Sequence, residues 1–279
     1  MKKTLASLLV VAAGLLLSST AFAYTGTYTA GTGINGTPHD LAQSAHGMTG
    51  YNAVPADSKA RICIFCHAPH NAYKLSPANG GPASGVGAGP TAPDAYDYLP
   101  LWNHTLPAAT VYTMYYPGPG APASGPKAQQ SAGAVVGSTS LLCLSCHDGS
   151  VAVNSYGNGA QLATSISTGT ATIGPGYVIG KDGILQNHHP IGFSYSAVYP
   201  TDTEIRNPAT ASLGGAGFVS THLYASQTLG ATDTMECGTC HSVHNTGNTG
   251  ETLLWRSDVS SQLCLTCHAK GTDPGTTTP

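Results

Sequence analysis

Twelve residues of this 279-residue chain stand in four copies of one pattern. These are CIFCH (Cys63, Cys66, His67), CLSCH (Cys143, Cys146, His147), CGTCH (Cys237, Cys240, His241) and CLTCH (Cys264, Cys267, His268), which consume all eight cysteines. C-x-x-C-H is the attachment signature of a c-type haem. The two thiols add across the porphyrin vinyl groups, and the following histidine binds iron from the proximal side. Zinc ribbons, iron–sulfur sites and redox disulfides also use C-x-x-C, but none requires histidine next. With 12 His in 279 residues, chance supplies one at a given position about 0.04 of the time, so four in succession is about 3 in a million. Four covalently bound c-type haems are the expectation.

The elements that hold these groups are short. Asp57 or Ser58 is placed to cap a turn running into Cys66, and Ser138 or Ser140 one through Cys146 that stops at Gly149. Asp233 and Ser260 hold the same place before the last two motifs. Elsewhere Gly and Pro are plentiful, which disfavours long helices. Lys74 to Gln130 is a long Pro/Gly/Ala/Tyr stretch. Gly149 to Thr234 has no Cys, and its TSISTGTATIG and YVIG segments alternate weakly, as short strands would. The fold class expected is therefore a multihaem cytochrome c: mostly irregular coil, a few short helices and minor strand content, wrapped around four stacked haems. CIFCHAPH followed by SLLCLSCH repeats as CGTCHSVH followed by QLCLTCH. This gives two-haem units around residues 63–147 and 237–268, with the Cys-free stretch 149–234 between them.

Met1 to Ala23 reads as a signal peptide: Lys2 and Lys3, an apolar run from Leu5 to Leu17, then Ala21-Phe22-Ala23. The mature chain, 24–279, is expected to be a single exported domain without a membrane span. Without the leader, 8 basic residues face 13 acidic ones, a balance of −5. Haem propionates deepen it, which makes nucleic acid a poor partner. Charged residues are only 8% of the chain, against about 25% in an ordinary soluble domain. Low self-repulsion of this kind lets subunits pack against one another.

Eight histidines remain for the distal faces of the irons: His39, His46, His70, His104, His188, His189, His222 and His244. Methionine is the competing ligand, but only Met48, Met114 and Met235 follow the leader, so bis-histidine ligation is expected. His70 and His244 each lie three residues after a proximal His, which sets the two imidazoles side by side on a helical turn. Such a pair cannot reach opposite faces of one iron. His70 is therefore assigned to the haem of Cys143 and Cys146, and His244 to that of Cys264 and Cys267. His189, before Pro190, and His39, after Pro38, are the choices for the other two irons. His104, beside Trp102 in LWNH, is the first reserve and His46 another; His188 and His222 read as solvent-exposed.

CHAPH, CLSCHDG, PHDL, PLWNH, HHPIGF and the closing CHSVH…LCLTCH pair resemble the doubled C-x-x-C-H multihaem cytochromes of metal-reducing bacteria. The plan is similar to the OmcE-type tetrahaem cytochromes that polymerise into extracellular filaments. The resemblance implies bis-His haems in a continuous stack and a homopolymer in which one iron takes a His from the adjacent subunit. His39 or His46, near the start of the mature chain, could reach across most easily. It further implies secretion to the cell exterior, outer-membrane electron conduits and external acceptors such as metal oxides as partners, and electron conduction rather than catalysis. A monomeric periplasmic shuttle is the first rival reading. A multihaem reductase is the second, and would need a five-coordinate haem with acid–base residues around its open face.

Overall fold

Residues 29–41, 61–70, 101–107, 112–115, 136–153, 155–156, 172–226, 231–248 and 251–272 are those the structure, a computed structural model, describes. The leader, His46, Asp57, Ser58, most of the stretch from Lys74 to Gln130 and the TSISTGTATIG segment up to Ala171 lie outside them.

Among the described residues, α-helix forms only where the thiols must be presented. Helix α1 is Ser138–His147, α2 is Cys237–Cys240 and α3 is Gln262–Cys267, while the first motif sits on a 3-10 turn, Ile62–Phe65. Helix α1 ends where expected, with Gly149 taking the left-handed φ of +73° that L side chains resist. The N-terminal caps differ from those expected. The Ser140 hydroxyl does not cap α1, because it bonds Glu236 and the Cys237 N–H instead. Asp233 lies in a strand, and α2 is capped by Glu236 through a reciprocal box with Thr239. Before α3, Ser260 and Ser261 both adopt positive φ, and neither hydroxyl caps the helix.

The strands also fall elsewhere than expected. YVIG is irregular, with Tyr177 closing the 3-10 turn Pro175–Tyr177. The sheet is instead β1 (Phe193–Ser194), β2 (Tyr224–Ser226) and β3 (Ala231–Met235), antiparallel, in the order β1-β3-β2. Phe193 pairs with Met235, and both Ser194 and Tyr224 pair with Thr234. Strand β3 runs directly into Glu236 and Cys237, so the sheet aims the third motif. Asp233 anchors it by accepting from the Ser194 hydroxyl (2.9 Å) and the Ser196 N–H (2.6 Å).

Apolar side chains bury in separate clusters, each backing a motif. Leu141, Leu142 and Leu144 of α1 pack with Trp102, Tyr112 and Leu185. Phe65 and Tyr156 meet edge to face at 4.9 Å behind the first motif. Phe193, Tyr195, Val198, Leu213, Val219 and Met235 lie behind the last two, with Cys240 and Cys267 against them. Among the described residues, no helix is long and apolar enough to cross a membrane.

Residues 29–41 dock on the turn after the third motif through Asn245, whose side chain is fully buried. Its Nδ2 donates to the carbonyls of Thr29 (2.8 Å) and Gly33 (3.0 Å). Its Oδ1 accepts from Asn248 Nδ2 (2.9 Å) and the Leu253 N–H (3.2 Å). A positive φ of +51° suits Asn better than most residues. Asn245→Ala strands several of these groups and is expected to cost about 2–4 kcal/mol. Thermal unfolding with hydrogen exchange checks it: amides of 29–41 should lose protection first, and an unchanged midpoint would refute this anchoring.

Candidate haem-attachment sites

Three of the four motifs share a backbone clamp that fixes the proximal histidine. After His67, the Ala68 N–H donates to Leu101 O (2.9 Å) and the Asn103 N–H returns to Cys66 O (2.7 Å). After His241, Ser242 donates to Leu253 O (3.0 Å) and Trp255 to Cys240 O (3.0 Å). After His268, Ala269 donates to Glu204 O (2.7 Å) and Arg206 to Cys267 O (2.8 Å). Leu101 and Leu253, at equivalent places, share positive φ values of +55° and +62°. The internal repeat thus extends from the motifs to LWN (101–103) and LLW (253–255), which sequence comparison of the motifs alone misses. The second motif differs: α1 continues through His147, whose carbonyl accepts from the Ile179 N–H (2.6 Å).

Three of the four proximal imidazoles face a second imidazole. Ring centroids lie 6.0 Å apart for His67 and His244, 6.3 Å for His147 and His39, and 6.2 Å for His268 and His189. Two imidazoles on opposite faces of one metal, with a bond of about 2 Å and about 1 Å more to each ring centre, stand about 6 Å apart. Trp102 also lies 6.0 Å from His67, so spacing alone does not distinguish a ligand pair.

The bonding of Nδ1 adds a second feature at four of these histidines. His147 Nδ1 lies 3.0 Å from Tyr177 O, His241 Nδ1 3.3 Å from Leu253 O, His39 Nδ1 3.3 Å from Val243 O and His189 Nδ1 2.9 Å from Pro190 O. A carbonyl only accepts, so the proton is on Nδ1 and the Nε2 lone pair is left for a metal. Burial, with His147 beside it, lowers the His39 pKa to about 4, and partial desolvation lowers those of His241, His244 and His268, which keeps these rings neutral. A metal binds this neutral form.

The surroundings fit a flat apolar group. Leu101, Tyr177, Ile179 and Val243 are exposed next to the clamped or facing histidines, where a porphyrin face would cover them. Beside His67, the buried indole N–H of Trp102 has no hydrogen-bond partner, a donor without an acceptor of the kind a propionate supplies. All eight cysteines are free thiols. Among the described residues, no cluster of three or more His, Cys, Asp or Glu could hold a separate metal ion.

Some sequence assignments change. His244, assigned to the Cys264 and Cys267 site, lies against His67 instead. His70, assigned to the Cys143 and Cys146 site, is exposed, and His39 is the ring opposite His147. His104 is 1% exposed, its Nε2 set against Ala152 O (3.1 Å) and the Cys146 sulfur (3.4 Å), so it is a core residue rather than a reserve ligand. His222 is half-buried, stacked on Trp255 at 4.3 Å with Nε2 donating to Ala216 O (2.8 Å). His46 is outside the described residues. No imidazole among the described residues faces His241 within ring-contact distance.

Thiols of successive motifs are neighbours. Cys66 lies within electrostatic reach of Cys146, Cys143 within reach of Cys237, and Cys240 within reach of Cys267 with the Tyr195 hydroxyl near both. Burial pushes the Cys66, Cys146 and Cys240 thiols up to about 12. The attachment points follow one another through the molecule in sequence order.

The family model of the doubled CXXCH motif matches residues 230–273, which covers the third and fourth motifs. No curated protein matches the chain. The match supports a haem-binding electron-transfer cytochrome of the multihaem c type, and the motifs indicate covalently bound c-type haem. Mass spectrometry of protein matured with its haems checks each site. Replacing both Cys63 and Cys66 by Ser is expected to remove one haem mass per chain, and an unchanged mass would exclude that motif.

Proposed function

We propose that this chain carries four covalent c-type haems, each held by two histidines, and conducts electrons along them as a subunit of an extracellular filament. When bound, each such group supplies a one-electron couple and, with nitrogen on both faces, offers no position for a substrate. The observation that carries this reading is the set of three facing imidazole pairs joined by neighbouring thiols. His67 with His244, His147 with His39, and His268 with His189 are the ligand pairs of the first, second and fourth haems. Each Nδ1 bonded to a carbonyl orients its ring, and the clamp holds the proximal peptide still while charge changes.

The third iron takes His241 from this chain and His70 from a neighbouring subunit. Support comes from the repeat: His244, three residues after the third proximal histidine, faces the first motif of its own chain. Its counterpart His70, three residues after the first, is exposed and left over. Donating His70 to the third motif of the next copy completes the exchange. A contact of this kind is head-to-tail, and it builds an open filament where successive rotations do not close a ring. His39 faces His147 within its own chain, so the trans role expected of it passes to His70, with His46 the alternative donor. The sparse charge of the chain, 8% of residues, favours assembly over a free shuttle that docks by its charged surface. Electrons then pass to external acceptors beyond the cell surface.

Low-temperature electron paramagnetic resonance of the assembled protein should show low-spin iron only, and His39→Ala should turn one haem in four high-spin and open to carbon monoxide. High-spin iron in the unmodified protein would favour a reductase. Negative-stain microscopy should show fibres that His70→Ala abolishes without lowering haem content. Fibres that survive His70→Ala but not His46→Ala would move the trans role to His46, and particles alone would remove the filament.

A further inference from the structure

Glu236 precedes the third motif, yet nothing in C-x-x-C-H calls for a carboxylate there. Its side chain is 2% exposed, and the donors that meet it come from two attachment helices. From the start of α1, the Gly137 N–H donates to Oε1 (3.1 Å) and the Ser140 hydroxyl donates to Oε2. From α2, the Thr239 N–H donates to the carboxylate, while Thr239 Oγ1 accepts from the Glu236 N–H (3.0 Å). Ser140 joins the two ends, because its oxygen also accepts the Cys237 N–H (3.0 Å). One carboxylate thus joins two helix starts that are far apart in sequence, capping α2 through Thr239 and holding Gly137 and Ser140 of α1.

The surroundings are built for it. A Cβ on Gly137 would stand 2.4 Å from Oε1, so only glycine admits the carboxylate this close to the α1 terminus. Across this joint the Cys143 and Cys237 thiols are neighbours, and Glu236 lies within electrostatic reach of Cys143. Hydrogen bonds to an ionised acceptor are stronger than neutral ones, and both helix dipoles turn their positive ends toward it.

We infer that Glu236 is a positioning residue for the second and third haems: it locks their two attachment helices together and biases both irons toward the oxidised state. The inference rests on the four-haem reading above. Separation of the two tethering thiols is set by the joint rather than by chance packing of loops. The bias follows from charge, since oxidation adds one positive charge to each iron and a nearby buried negative charge stabilises it. The first and fourth haems, tethered away from this joint, do not share that stabilisation.

Potentiometric titration of the haem-loaded protein, followed by visible absorption and Soret circular dichroism, tests it. Glu236→Gln keeps the shape and removes the charge, so two of the four midpoint potentials should rise while the other two hold. Gly137→Ala keeps the charge and displaces the carboxylate, so the Soret couplet of the close haem pair should change at constant haem content. If the Gln variant instead fails to load haem, loss confined to the second and third sites supports positioning, and equal loss at all four overturns it. Unchanged potentials, or one uniform shift of all four, overturn the inference and leave the proposed function standing. Fewer than four haems in the unmodified protein would remove both.

Discussion

A carbonyl oxygen has no proton to give, so an imidazole that brings Nδ1 to within 3.0–3.3 Å of one must carry its proton there and leave Nε2 bare. That constraint is met at His147, His241 and His39 by the backbone of Tyr177, Leu253 and Val243. The acceptors belong to irregular segments, which explains how so loop-rich a chain defines its site. The coil is placed to fix tautomers, and among the described residues α-helices appear only where two thiols and a histidine must share one side. The repeated clamp after His67, His241 and His268 serves the same end by pinning the peptide that carries each ring.

Much of the apolar surface makes sense only around a bound group. Side chains of the clusters behind each motif bury well, but Leu101, Tyr177, Ile179 and Val243 stay exposed beside the histidines. Clusters this small supply limited hydrophobic stabilisation on their own. Covalent attachment would cover those side chains and extend each cluster across a macrocycle, so folding and haem loading are linked as binding is linked to stability generally.

The two repeats are coupled rather than merely adjacent. His244 of the second unit stands opposite His67 of the first, and Glu236 at the entrance to the second unit holds the start of the helix that ends the first. Between them, Asn245 holds the arm that carries His39 to His147. The first two links cross from one unit to the other, and the third ties the arm ahead of the first unit to the turn after the third motif. Trp255, equivalent in place to Asn103, shows how the copies diverged. Its indole N–H bonds Gly238 O (2.8 Å) and its ring carries His222, whereas the Asn103 amide reaches Ile64 O (2.7 Å).

Sequence alone determined what is local. Thiol spacing and the adjacent histidine are set by covalent geometry within five residues, so the attachment chemistry, the short helices beneath it, the stop at Gly149 and the doubled pattern were all legible. Tertiary structure decided what faces what. The i+3 spacing of His70 and His244 says nothing about which distant imidazole either ring meets; the structure sets His244 6.0 Å from His67, in the other repeat, and leaves His70 exposed. His104 read as a ligand because it stands beside Trp102, yet burial against Ala152 and Cys146 occupies its Nε2, a contact that forms only when residues 104, 146 and 152 are brought together. Caps misread for a like reason: Ser140 and Asp233 favour helix starts locally, but the Ser140 hydroxyl is drawn to Glu236 and Cys237 from far along the chain, and Asp233 is held in a strand on Ser194 and Ser196.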